Sequence, residues 1–453
     1  MKMKIKIAAG QGFWGDRADA PIEQVRKGSI DYLIMDYLAE VTMSIMQKQK
    51  MRDSNQGYAR DLIPLMKELI PDIIEKNIKV ITNAGGVNPL ACREAIFEEA
   101  KKLGVEGLKI GIVYGDNIRD NIDDLFASGN YLNHMETGES LQTVIDKLYS
   151  ANVYLGAQPM VEALRDGAQI IITGRVTDTG LTLAPMIHEF GWGDKEYNKL
   201  ASGIVAGHII ECGAQVSGGN FLAGWQEVPD MAHIGFPIIE AYPDGEFVVT
   251  KHEGTGGLID LRTVKEQLVY ELGDPKDYIT PDVTVDFTTI QLEQEGQNRV
   301  RVKGIQGLPP TDSYKVSISY ADGWTSISKL TFAWPDALKK AQKADEILRQ
   351  RIKDLNLDFE EVHTEYLGIN ACHGPLAHPI EEPNEVILQI GVRGTHQMDM
   401  VRFNREMVPL VLGGPPTGTG FAAGRSRPKE VVAFWPALIP KKLITPLCDV
   451  KSI

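Results

Sequence analysis

The sequence predicts an α/β fold: an N-terminal, mostly parallel sheet with flanking helices, followed by an α+β domain rich in antiparallel strands. Three observations carry this. From residue 1 to about 190, short and nearly continuous apolar runs alternate with helical patterns, and each run stops at a cluster of Gly, Asn, Asp or Thr, as in repeated βα units. After about residue 230 the strand-like stretches alternate polar and apolar residues between Asp-Gly or Gly-Gln turns, which suits antiparallel strands with one wet face. One long amphipathic pattern, Pro335–Leu355, interrupts those strands and would cover their other face.

In order, Ile5–Ala9, Asp31–Leu38, Val80–Thr82, Ile110–Val113 and Ile170–Thr173 read as strands buried on both sides. Helices are predicted over Tyr58–Lys76, Pro89–Leu103, Ser140–Tyr149, Pro159–Arg165, Leu181–Phe190 and Asn198–Cys212. The later strands are Glu246–Lys251, Val283–Leu292, Asn298–Lys303, Tyr314–Tyr320 and Glu385–Val392. The expected division is an α/β domain over 1–230 and an α+β domain over 231–453.

Composition narrows the function classes. With 453 residues, 61 acidic against 47 basic and a net charge of −14, the chain has ample core and lacks the basic excess that nonspecific nucleic-acid binding requires. Four scattered cysteines form no C-x-x-C pair, so a disulfide framework is not expected and a reducing cytoplasm is the natural setting. No apolar segment of membrane-spanning length occurs, and the first residues do not read as a signal peptide. The charge is uneven: residues 390–453 hold nine Lys/Arg and four Asp/Glu, a basic tail on an acidic body.

Polar, glycine-rich signatures follow the apolar runs, at the carboxyl ends where parallel sheets place their ligand crevice. They are Gly10-Gln11-Gly12-Phe13-Trp14-Gly15-Asp16, Asp36-Tyr37-Leu38-Ala39-Glu40, Asn83-Ala84-Gly85-Gly86, Tyr114-Gly115-Asp116-Asn117 and Thr173–Gly180. Turn formation explains the glycines but not the charged Asp36, Glu40, Arg175 and Asp178. Within TGRVTDTG, Arg175 offers a fork for a carboxylate or phosphate, Asp178 an acid, base or ligand, and Thr177 an orienting hydroxyl; the plainer alternative is an N-cap for the next helix beside a structural ion pair. Gly10-x-Gly12-x-x-Gly15 with Asp36 fits a dinucleotide fingerprint, yet Asp16, Asp19 and Pro21 postpone the helix that should face the pyrophosphate, so NAD is the lesser reading. His208 and Glu211 share one helix face and are candidate proton carriers; as metal ligands they lack partners, and no metal site is assigned. Asn220 in SGGN, Thr255 in HEGTGG, and Thr417, Thr419 and Arg425 in the tail complete the candidate anion-binding set with Gly10, Gly12, Asn83, Gly85, Gly86, Arg175 and Thr177. No Walker loop and no G-x-S-x-G elbow occurs, which disfavours a nucleotide triphosphatase and a serine hydrolase of the α/β type.

Taken together, GQGFWGDR, DYLAE, NAGGVNP, TGRVTDTG, GHIIECGAQVSGGNF, KHEGTGG and GGPPTGTGF resemble the acyclic terpene utilisation protein A family, from near residue 5 to about residue 440. The resemblance implies a part in bacterial catabolism of citronellol- and geraniol-like terpenes, alongside acyl-CoA carboxylase, dehydrogenase and hydratase components. It also implies a small ferredoxin-like domain, expected here as a separate subunit. Three functions follow as expectations. The first is an enzyme acting on a branched or terpenoid carboxylate or its CoA thioester by lyase, hydratase or hydrolase chemistry, in a homo-oligomer that binds a small anionic substrate, with the CoA thioester as substrate and a divalent metal disfavoured. The second is an NAD-type oxidoreductase. The third is a noncatalytic subunit of a carboxylase-linked pathway.

Overall fold

The computed structural model describes residues 2–420, 424 and 426–453. In chain order the elements are β1 (Ile5–Gln11), α1 (Ala20–Lys27), β2 (Tyr32–Met35), α2 (Glu40–Arg52), α3 (Leu62–Glu75), β3 (Lys79–Thr82), α4 (Pro89–Lys102), β4 (Lys109–Tyr114), α5 (Ile122–Ala127), β5 (Leu148–Val153), α6 (Gln158–Arg165), β6 (Ile170–Thr173), α7 (Gly180–Phe190) and α8 (Tyr197–Ile210). There follow β7 (Pro237–Ala241), β8 (Phe247–Lys251), α9 (Leu261–Val269), β9 (Tyr278–Ile279), β10 (Thr284–Asp286), β11 (Gln291–Gly296), β12 (Arg299–Lys303), β13 (Gln306–Leu308), β14 (Ser313–Ala333), α10 (Ala337–Asp354), β15 (Glu361–Leu367), β16 (Glu385–Gly394), α11 (Gln397–Met407), α12 (Leu410–Gly413), β17 (Lys429–Pro440) and β18 (Leu447–Ser452). The chain forms two compact units, Met1–Ser319 with Phe434–Ile453, and Tyr320–Ala433.

The first unit is built on one mixed sheet in the order β11-β12-β8-β7-β1-β2-β3-β6-β4-β18. Its centre, β1-β2-β3-β6-β4, is parallel, because each of these strands is apolar on both faces and has helices to cover both. Ala8, Leu33, Val80, Ile110 and Ile170 pack on one side with Val25 of α1, Leu69 of α3 and Ile96 of α4. Alternate residues turn to the opposite face, where α6 and α7 contact the strands. The strands beyond β1 and β4 are antiparallel: β7, β8, β12 and β11 extend one edge and β18 closes the other. The β18 edge is fixed by Arg93 of α4, fully buried, whose Nη1 donates to the Asp449 carboxylate at 2.7 Å. A small antiparallel sheet, β13-β10-β9, lies against α8.

In the second unit an antiparallel sheet in the order β15-β16-β14-β17 carries α10 and α11. Leu330, Phe332, Leu388 and Ile390 of the strands pack with Ala341, Ala344 and Leu348 of α10 and Phe403 of α11. This is the α+β texture that alternating strands and one amphipathic helix predict.

Three local expectations fail, one being the strand expected over Val283–Leu292, which a 3₁₀ turn at Phe287–Thr289 breaks into β10 and β11. The helix expected over Ser140–Tyr149 is replaced by short 3₁₀ turns, Leu141–Thr143 and Ile145–Lys147, and by β5; β-branched Val144, at φ −127°, leaves the helical region after one turn. The strand expected over Asp31–Leu38 stops at Met35, and a helix, α2, that the sequence did not announce begins at Glu40.

Candidate functional site

The signature loops that follow β2, β3, β4 and β6 meet around Arg175, which is buried to 2% exposure. Its Nη1 donates to the Asp178 carboxylate at 2.8 Å and to the Leu38 carbonyl at 3.1 Å, its Nη2 reaches the other Asp178 oxygen at 3.3 Å, and the guanidinium lies 4.2 Å from the Tyr154 ring centre. This geometry pairs a bidentate carboxylate with a cation–π contact, both of which favour arginine over lysine. The Arg175 amide donates to Asp116 at 2.9 Å, and Asp116 also accepts from Asn152 at 2.8 Å. A Cβ at Gly174 would sit 2.4 Å from Asp116, so only glycine leaves room for that carboxylate.

Asp36, at the end of β2, accepts from Asn83 Nδ2 at 2.6 Å and from the Leu38 amide at 3.0 Å, while Asn83 Oδ1 accepts from the Tyr37 amide at 2.7 Å. Asn83 therefore ties the DYLAE loop to the end of β3. Burial pushes the Asp36 carboxyl up to about 6, against the pull of Arg175 and with a push from Glu211. Burial likewise lifts Asp116 to about 6. Asp178 is raised by burial and by its neighbours Asp36 and Glu211, opposed by Arg175. Burial works against the Arg175 charge, but Asp178, Tyr154 and Asp36 outweigh it and its pKa is raised. Asp36 and Asp178 thus share one guanidinium while Glu211 repels both, and among the three Asp178 keeps the most accessible side chain, at 31%. Burial and mutual repulsion raise the proton affinity of Asp36 and Asp178 above that of an ordinary carboxylate.

The third carboxylate caps the C-terminal end of α8. His208 and Glu211 lie side by side, Nδ1 to Oε1 at 3.2 Å, and His208 is enclosed edge-on by Tyr278 of β9 and by Phe287 at 5.6 and 5.4 Å between ring centres. Its carbonyl accepts from Gln267 of α9 at 3.0 Å, and its Nε2 makes no hydrogen bond among the described residues. Burial lowers the His208 pKa, and Glu211 more than offsets this, so the net shift is upward. Two glycines draw these elements together. A Cβ at Gly207 would lie 2.6 Å from the Thr179 backbone, and one at Gly12 would lie 2.7 Å from the Cys212 carbonyl carbon. They let α8 press on the start of α7 and the β1 exit press on the end of α8.

The remaining candidates distribute as follows. Gly10 lies inside β1 against Leu33 and Pro21, and Gly85 packs on the Thr173 carbonyl, so both are explained by close approach; Gly86 has a left-handed φ of +53°. The Gly12 and Arg17 amides are taken by the Asp16 carboxylate at 3.0 and 2.7 Å, and α1 starts only at Ala20. A carboxylate thus fills the place a pyrophosphate needs, and the glycine loop does not fit a dinucleotide. Thr177 shares a hydroxyl contact with Thr179 at 3.2 Å, and neither it nor Asp178 caps α7 through its side chain. Asn220, at φ +53°, lines a cavity of about 740 Å³ with Phe221, Trp225, Met231, Tyr270 and Gln267. Gln267, which bonds His208, makes that mostly apolar cavity a neighbour of the cluster. Thr255 lines another cavity beside β8. Thr417 and Thr419 belong to the second unit, where Thr417 accepts from Lys340 at 3.3 Å and Thr419 pairs with Thr331; Arg425 lies outside the described residues. Sequence spacing did not single out Tyr154, Asp116 and Asn152; Asp116 had a signal, as a charged residue in a strand-end loop. No group of three or more His, Cys, Asp or Glu with metal-holding geometry occurs among the described residues. Nor is any helix among them long and apolar enough to cross a membrane.

Over residues 5–450 the chain matches the model of a family described as Acyclic terpene utilisation family protein AtuA, and it belongs to that family. Neither the curated proteins nor the solved structures contain a match.

Proposed function

From membership of that family, we propose that the chain is an enzyme of acyclic terpene catabolism that moves a proton on a branched carboxylate or its CoA thioester, in hydratase, lyase or hydrolase chemistry. The observation that carries this reading is the crowding of Asp36 and Asp178 around Arg175, with Glu211 repelling both, at the carboxyl ends of a parallel sheet. Perturbed carboxylates in a polar, recessed cluster suit general acid–base work near neutral pH. Asp178 is the proton carrier in this scheme, being the most accessible of the three. Arg175 is already neutralised by Asp178, so it holds the carboxylate in place and sets its proton affinity rather than gripping a substrate anion. Asp36, Asn83 and Thr177 support the loops, and His208 orients Glu211. The cavity beside Asn220, with exposed Leu222 and Trp225 at its wall, suits an apolar branched chain.

In a hydration, Asp178 would take a proton from water as its oxygen bonds the β-carbon of an unsaturated thioester, and return a proton to the α-carbon. The test is incubation in D₂O with a panel of branched, α,β-unsaturated carboxylic acids and their CoA thioesters, read by mass spectrometry. Water addition or deuterium uptake is expected, reduced about 10²- to 10⁴-fold in Asp178→Asn, the usual contribution of a general acid–base group. A wild-type protein inert on the whole panel would favour the noncatalytic subunit instead.

A further inference from the structure

The KHEGTGG segment is not used by the strand-end cluster. It closes a cavity of about 690 Å³ beside β8, on the sheet face next to the end of α1. Lys6, Lys27, Lys251, His252 and Arg299 line it, with Glu240 and Glu253 as the only carboxylates in the wall. Four cations face two carboxylates in the wall, and two of the four are also met from outside it, Lys27 by Glu23 and Arg299 by Glu295, in a protein whose total charge is −14.

The pairing around the wall singles out Lys251. Arg299 bonds Glu240 at 2.9 Å, Lys6 approaches the same carboxylate at 3.6 Å, and Lys27 pairs with Glu23 at 2.5 Å. Lys251, only 9% exposed, has no carboxylate partner among the described residues; its Nζ donates to the Thr255 carbonyl at 2.7 Å and to the Thr255 hydroxyl at 3.2 Å. An ammonium with two neutral acceptors retains a third proton to donate. Burial and the Lys27 charge both lower its pKa, so a nearby anion would relieve the site. The backbone is shaped around the same place. The His252 ring lies on Gly28, where a Cβ would be 2.7 Å from Nδ1, and its Nε2 donates to the Gln24 carbonyl at 3.0 Å. Gly254 turns with φ +72° and has open space where a side chain would be.

We propose that this cavity binds a phosphate-bearing small molecule, its phosphate held by Lys251 with Lys27 and Arg299 at the wall. The wall is mainly polar and the volume falls in the roughly 300–1,000 Å³ range of small-molecule sites, larger than a bare phosphate fills. A phosphate ester suits the wall because its several oxygens can accept from Lys251 and from the neighbouring cations at once. The site stands apart from the Asp178 chemistry and does not depend on it.

The experiment is titration calorimetry of the purified full chain with inorganic phosphate, AMP and CoA, on wild type, Lys251→Met, Lys27→Ala and Asp178→Asn. Wild type is expected to bind at least one of these, with AMP or CoA tighter than phosphate if the cavity takes an ester. Affinity for phosphate and AMP falls about tenfold or more in Lys251→Met, the cost of a charge-assisted hydrogen bond, while Asp178→Asn binds both as wild type. Should Lys251→Met fail to fold, exposed Lys27→Ala carries the test, with an expected loss of about threefold. No binding by any of the three ligands at millimolar concentration, or equal binding by wild type and the lysine variants, would overturn the proposal.

Discussion

The strand-end cluster and the cavity beside β8 belong to the same unit and carry opposite charge problems. At the strand ends, Asp36 and Asp178 crowd one guanidinium while Glu211 repels both, and carboxylates predominate. Beside β8, lysines and an arginine outnumber the carboxylates of the wall, and Lys251 has no carboxylate partner among the described residues. Crowded, buried carboxylates gain proton affinity, which moves them toward the range where a group can both accept and give a proton. An arginine cannot release its proton, and lysines do so only at a large cost, so a cation without a carboxylate is relieved by an external anion. On the two functions proposed above, proton transfer falls to one region and ligand capture to the other.

The largest expected effect comes from removing the cation of the first region. Arg175→Met leaves Asp36 and Asp178 without their counter-ion and should cost about 3–5 kcal/mol in denaturant unfolding at pH 7, as for other broken buried pairs. The loss should shrink by pH 5, where the orphaned carboxylates are protonated. A pH-independent loss would mean that Arg175 acts by packing on Tyr154 alone. Next is Gly207→Val, which pushes α8 off the Thr179 backbone and should cost about 1–3 kcal/mol by overpacking. Gly193→Ala, whose Cβ meets only Glu196 at 3.7 Å, should be within about 0.5 kcal/mol of wild type. Equal losses at both positions would remove the close-approach explanation.

A smaller effect concerns Asp282, whose carboxyl accepts from the Ala157 amide at 2.9 Å and is lifted by burial to about 6. A carboxyl raised above its unfolded value binds more protons folded than unfolded, so its contribution to stability is complete below about pH 4 and lost as pH rises through about 6. Asp36 and Asp116 add slopes of the same sign. Urea midpoints of Asp282→Asn against wild type between pH 4 and 7 should therefore show a flatter decline in the variant, and parallel curves would contradict the assignment.

The parallel core was readable because continuous apolar runs such as Ile170–Thr173 have only one comfortable place, between two helical layers. The loops at their ends were readable for the same reason, and Asp36, Asn83, Arg175 and Asp178 do meet. What could not be read was the pairing of distant segments. Tyr154 beneath Arg175, Tyr278 and Phe287 around His208, and Asp449 against Arg93 depend on contacts between elements far apart in sequence. The glycines misled in detail, since a Gly needed for close packing, as at Gly10 or Gly85, looks in sequence like one that cradles a ligand. The 140–149 segment misled because its apolar spacing suits a helix while Val144 does not continue one.

The central claim is that Asp178, crowded by like charges, is the group that moves the proton. Deuterium incorporation from D₂O into a branched acyl-CoA thioester, compared between wild type and Asp178→Asn at matched folded concentration, tests it most directly. The account predicts exchange by wild type and a loss of about 10²-fold or more in the variant. Exchange that survives the substitution unchanged would contradict it.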